Sequence, residues 1–164
     1  VSVSFNISKD KVGLYYDNAR TVTNAALVFI LLKSTGIEAD ATLADHDDVA
    51  SLLAGTSDEC DFTNYARKTL SGSSTVRRTV DDTNNRVLLD ADDITWVDAG
   101  AAGTTAGSGA GNNNVARLLV AYDPDTTTGT DGSLIPLTTH DITVATDGND
   151  VIIRFHVDGT TRVL

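Results

Sequence analysis

Asp123, Asp125 and Asp131 come closest, by type and spacing, to an ion-binding pattern in this chain. Carboxylates at the first, third and ninth positions of an acidic loop are what calcium meets in an EF-hand. The rest of that pattern fails. Thr127 stands where the third side-chain ligand belongs, Thr128 where glycine is obligatory, and Leu134 where the bidentate glutamate belongs. An EF-hand is therefore excluded. What remains is a non-EF calcium candidate on the same three aspartates, set against a proline-containing turn with solvated carboxylates.

Other chemistries find less support. Zinc needs clustered Cys and His, and Cys60, His46, His140 and His156 share no ligand spacing. Cys60 is the only cysteine, with no histidine near it in sequence, so it reads as a small half-buried filler. Gly107-Ser-Gly-Ala-Gly111 lacks the third glycine of a dinucleotide loop, and no Gly-Lys-Ser/Thr phosphate loop occurs. No Gly-x-Ser-x-Gly elbow is present. Asp47-Asp48 and Asp92-Asp93 are adjacent pairs, which on a strand point to opposite faces and cannot converge on one bond. Tyr15, Tyr16, Trp96 and Tyr122 could build a sugar platform, yet scattered aromatics of this kind more often anchor cores or interfaces. No catalytic residue, resident metal or cofactor is expected.

The elements that would position these residues are mainly strands. Residues 1–8 alternate strictly, with Val1, Val3, Phe5 and Ile7 on one face. They form a strand of the chain's own sheet or an arm that adds to a neighbour's sheet, and these four are the candidate interface residues. Residues 12–16 read as a second strand. Residues 25–33, apolar on both faces, read as a central buried strand. One short helix is expected, capped by Asp45, with Val49, Leu52 and Leu53 as its apolar stripe and Gly55 as its stop, about three turns long. Residues 62–75 look irregular. Residues 76–80 and 86–91 bracket a polar turn, Asp81-Asp-Thr-Asn-Asn85, and predict a hairpin. A last hairpin is predicted over 141–146 and 151–156. It would place Thr146, Val144 and Ile142 opposite Val151, Ile153 and Phe155, and Asp141 opposite His156.

Size and charge set the limits. A chain of 164 residues suits one β domain (9–164) behind a strand or arm at 1–8, with a Gly/Asn-rich loop at 100–114. The fold class expected is all-β, an antiparallel sandwich or barrel with one short helix and an extended N-terminal arm. The net charge is −11, and Glu38 and Glu59 are the only glutamates beside 21 aspartates. Aspartate favours turns and caps over helix interiors. So acidic a surface repels phosphate backbones and anionic lipids, so neither nucleic acid nor membrane is an expected partner. The longest apolar run, 25–32, is far too short to span a bilayer. The chain opens at Val1 and contains no methionine, as removal of an initiator Met would leave it. That reads as a protein made and kept without export.

One resemblance extends these readings. Asp90-Ala-Asp-Asp-Ile-Thr-Trp96, Val115-Ala-Arg-Leu-Leu-Val-Ala-Tyr-Asp-Pro-Asp125, Gly129-Thr-Asp-Gly-Ser-Leu-Ile-Pro-Leu137 and His140-Asp-Ile-Thr-Val-Ala-Thr-Asp-Gly148 carry it, together with the Gly/Asn loop between the first two. The stretch from 86 to 164 resembles a family of small tailed-bacteriophage virion structural proteins. The resemblance implies a non-enzymatic, head-associated component, a decoration or cement protein on the outer capsid. It would bind the major capsid protein and copies of itself in a symmetric assembly. No site residue transfers with it. Two alternatives stand beside it: a head-fibre, tail-associated or carbohydrate-binding module, and a calcium-stabilised extracellular β domain.

Overall fold

The computed structural model describes residues 2–100, 113–155 and 161–163. Its centre is β2 (Ala26–Lys33), with β7 (Asn114–Asp123) antiparallel beside it over eight register pairs. Both strands are apolar on successive residues, so both faces of the sheet must be covered. Along β2 the side chains alternate between two cores. Leu27, Phe29 and Leu31 enter one, and Val28, Ile30 and Leu32 the other, all but Val28 with no exposed surface.

The sheet continues outward to β3 (Lys68–Leu70) beside β2. On the other side, β8 (Ile135–Ala145) lies beside β7 and β1 (Ser2–Ser4) beside β8. All five strands are antiparallel, in the order β1-β8-β7-β2-β3. β1 and β3 form its two edges, so this sheet is open and is not a closed barrel. Strands are the main regular structure among the described residues, as an all-β reading requires.

The first core is closed by α1 (Val12–Thr21) and two smaller sheets. One sheet orders β10 (Thr161–Val163), β5 (Arg86–Ala91) and β4 (Val76–Asp81); the other pairs β6 (Ile94–Trp96) with β9 (Val151–Ile153). The second core is closed by α2 (Asp40–Ala44), α3 (Val49–Ala54), Phe5 and Leu134.

Several expectations change here. Residues 12–16 are not a strand. Val12, Tyr16 and Ala19 recur at helical spacing, and it is this face that α1 buries. The described residues contain three α-helices instead of one. α3 is capped by Asp48, whose Oδ1 accepts from Ser51 N at 2.6 Å, while Asp45 ends α2. It spans six residues, under two turns. Residues 68–70, read as irregular, form β3. The predicted β4–β5 hairpin is present, with Asp81 opposite Arg86 and their side chains joined at 2.8 Å.

The last hairpin does not form. β8 runs unbroken through His140-Asp141 and pairs with β7, so Asp141 faces Arg117 and Val144 faces Val115. β9 pairs with β6, setting Val151 opposite Trp96 and Ile153 opposite Ile94. An eleven-residue strand against β7 buries more apolar surface than a six-residue hairpin, and pairing with β9 closes the core over the fully buried Trp96. His156, with its predicted partnership, lies outside the described residues, as do Val1 and residues 101–112 of the Gly/Asn-rich loop.

Candidate functional site

The three calcium candidates sit around one turn, but each is already engaged, two within the turn and the third by Arg67. Asp123 is almost fully buried, and its Oδ1 accepts from Asp125 N at 3.0 Å. Asp125 accepts from Thr127 N at 3.0 Å and Thr127 Oγ1 at 2.6 Å, and these bonds hold its carboxyl below the usual range. Asp131 is held by Arg67, with Nη1 2.5 Å from Oδ1 and Nη2 3.2 Å from Oδ2. That contact likewise lowers its carboxyl. Among the described residues, no group of three or more Cys, His, Asp or Glu side chains is placed to hold a metal ion.

Arg67 belongs to a longer polar chain that sequence reading missed. Its guanidinium also grips Glu59, with Nε 2.9 Å from Oε1 and Nη2 2.6 Å from Oε2. Tyr65 Oη donates to Glu59 Oε1 at 2.7 Å and accepts from the Leu31 N–H at 3.1 Å. Burial, reinforced by Glu59, pushes the Tyr65 phenol far above its ordinary range. The phenol therefore stays protonated as a donor. This chain of contacts ties the loop before β3 to β2 and to the turn at Asp131.

A second cluster superficially resembles a catalytic triad. Glu38 Oε2 lies 2.8 Å from His46 Nε2 and 3.5 Å from Ser57 Oγ. The carboxylate stands between hydroxyl and imidazole, so His46 does not address the serine, whose Oγ donates to Glu38 Oε2 and accepts from Glu38 N at 3.1 Å. Burial alone would raise the Glu38 carboxyl. The His46 and Thr56 hydrogen bonds outweigh it and keep the carboxyl ionised. This corner is closely packed. A Cβ on Gly55 would fall 2.3 Å from Glu38 Oε1, and one on Gly36 (φ +77°) 2.3 Å from Thr56 O. The cluster is a clasp between the loop after β2 and the loop after α3.

The remaining candidates are structural too. Cys60 is buried and its thiol is pushed up to about 12 by desolvation, which leaves no thiolate near neutral pH. His140 is held below its ordinary range by burial, with Nε2 3.0 Å from Thr138 Oγ1. Asp92 pairs with Arg77 at 2.5 Å, and Asp93 accepts from Phe155 N at 3.1 Å. Tyr16, Trp96 and Tyr122 are buried, and Tyr15 stacks on Tyr122 at 4.8 Å, so these four make no open sugar platform.

Of the interface candidates, Val3 is buried opposite Thr139, Phe5 is fully buried in the second core, and Ile7 packs against that core. β1 thus pairs within its own chain. Among the described residues, the large apolar side chains that face outward are others, Leu14, Val22, Val80, Val97 and Ile152, each about half exposed. No pattern in the sequence distinguishes these five from core residues.

No family model matches this chain, and no curated protein or solved structure proves significantly similar to it.

Proposed function

We propose that this chain is a non-enzymatic structural protein of a tailed-phage particle, a sandwich-like β domain that docks on the major capsid protein as a decoration or cement protein. The observation that carries the reading is how its ionisable side chains are used. Arg67, Glu59, Asp131, Glu38 and His46 are spent on joining elements of the scaffold, and Asp48 on capping α3. Chemistry of this kind serves a rigid shape. The resemblance of residues 86–164 to small virion proteins supplies the setting. Repeated on a symmetric lattice, many weak contacts add to a strong hold without any single strong one. An acidic exterior would keep the loaded particles apart in solution.

The test is co-sedimentation of the purified chain with heads stripped of accessory proteins, followed by cryo-EM. Density repeating with the head's symmetry on its outer surface is the expected result. Failure to sediment with heads overturns the reading, and density confined to the tail turns it into the tail-associated alternative.

A further inference from the structure

Lys33, Asp61 and Asn113 are remote in sequence and meet at one end of the central strands. Lys33 is the last residue of β2, and Asn113 immediately precedes β7. The β2–β7 register shifts between Leu32 and Lys33, an irregularity of the kind that re-aims a side chain. Residues 58–61 run along the other side of β2, where Lys33 N donates to Asp58 O at 2.8 Å. The Asp61 carboxylate bridges the other two side chains. Its Oδ2 lies 3.0 Å from Lys33 Nζ, and its Oδ1 accepts from Asn113 Nδ2 at 3.0 Å.

The carboxamide is held as an acyl group is held for attack. Asn113 Oδ1 accepts from the Asp61 N–H at 2.7 Å, so a main-chain donor already faces the oxygen on which negative charge would build. Asn113 N donates to Thr146 Oγ1 at 2.6 Å, and Asn113 O accepts from Thr146 N at 2.9 Å, which fixes the residue by its main chain as well. Asn113 is fully buried, and the Lys33 side chain is only 17% exposed. Bulk water is thus kept from the amide carbon, while one carboxylate holds an amine beside it. An ion pair by itself requires neither the buried amide nor the N–H on its oxygen.

We propose that Lys33 and Asn113 join in an intramolecular amide bond, with Asp61 moving the protons. Asp61 Oδ2 takes a proton from the Lys33 ammonium, and the freed Nζ lone pair attacks Asn113 Cγ. The carbonyl electron pair shifts onto Oδ1, under the Asp61 N–H. As that pair returns, the Cγ–Nδ2 bond breaks. Asp61 passes two protons in turn from Nζ to Nδ2, which leaves as ammonium, and Asp61 ends as the carboxylate it began as. One amide replaces another, so no oxidant or co-reactant is consumed. Burial alone would raise the Asp61 carboxyl; the Lys33 and Asn113 hydrogen bonds outweigh it and hold it below the ordinary range. Its own carbon, ionised, is therefore a poorer acceptor than the Asn113 carboxamide. Asp61 is also a weak base, so the step is slow, which a bond made once per molecule tolerates. The inference goes beyond the docking role and does not depend on it.

The measurement is the intact mass of the full chain, kept folded at neutral pH and denatured only for mass spectrometry. With time it should become lighter than the sequence by one ammonia. The tryptic peptide containing Lys33, uncut at that residue, should be joined to the peptide containing Asn113. Lys33→Arg keeps the charge but cannot make the link, and should retain the full mass. Asp61→Ala should form it at least about a hundredfold more slowly. A wild-type mass that stays equal to the sequence overturns the proposal. So does ammonia lost equally from Lys33→Arg, which marks a succinimide at an asparagine instead of a crosslink. Loss of water in place of ammonia puts the bond on Asp61 and overturns Asn113 as the acceptor. An unslowed Asp61→Ala overturns the proton transfer.

Discussion

Arg67 binds two carboxylates that are remote from one another in sequence, Glu59 eight residues before it and Asp131 sixty-four after it. All three are partly screened from water, so the contacts are stronger than ordinary surface ion pairs. Replacing Arg67 with Met should cost about 2–3 kcal/mol, because Glu59 would stay half-buried without its cation. Urea unfolding measures this, and a loss under about 0.5 kcal/mol would mean the pairing is ornamental. His140 gives a pH signature. Burial lowers its pKa from 6.5, so the folded chain binds fewer protons there than the unfolded chain. Its contribution is intact above about pH 6.5 and declines as the pH falls from there toward the folded pKa. The melting temperature should therefore drop on acidification from about pH 7.5 to about pH 5.5, and drop less in His140→Gln. Equal drops in the two proteins would show that other groups set the acid response.

At the scale of elements, α1 offers the cleanest test. Gly13 lies in its first turn with open space where a Cβ would go, so Gly13→Ala should stabilise the fold by about 0.5–1 kcal/mol. A neutral or destabilising result in thermal melts would argue against a helix there. The same element shows why part of the fold was illegible. Val12, Leu14 and Tyr16 alternate like a strand when reading stops at residue 16; the helical period emerges only with Ala19. β2 was legible because eight apolar residues in succession leave few alternatives to a buried strand. The β4–β5 hairpin was legible because Asp81 and Asn84 build its turn from their own side chains. The final hairpin misled because the pairing of 141–146 with 151–156 is good locally. Its competitors, Trp96 for Val151 and Arg117 for Asp141, lie far away in sequence. The Arg67 network was hidden for the same reason, since no one of its members is unusual by itself.

Over the whole molecule, both faces of one sheet are covered, and the acidic turns lie outside them. The calcium alternative makes a clear prediction at this scale. With Asp123 and Asp125 already bonded within their turn and Asp131 bonded to Arg67, millimolar calcium should leave the melting temperature where chelator leaves it. A rise with calcium would revive that alternative. Truncation of residues 1–8 is a poor test of docking, because it removes Phe5 from the second core and weakens the fold along with any contact. A last consequence comes from the distance along the chain between β2 and its partner. Leu31 pairs with Leu118, so the most apolar segment leaves the ribosome long before the strand that shields it has been translated. Until then the nascent polypeptide carries an eight-residue sticky stretch, and products cut short before residue 123 should precipitate or require a chaperone, while the completed chain should not.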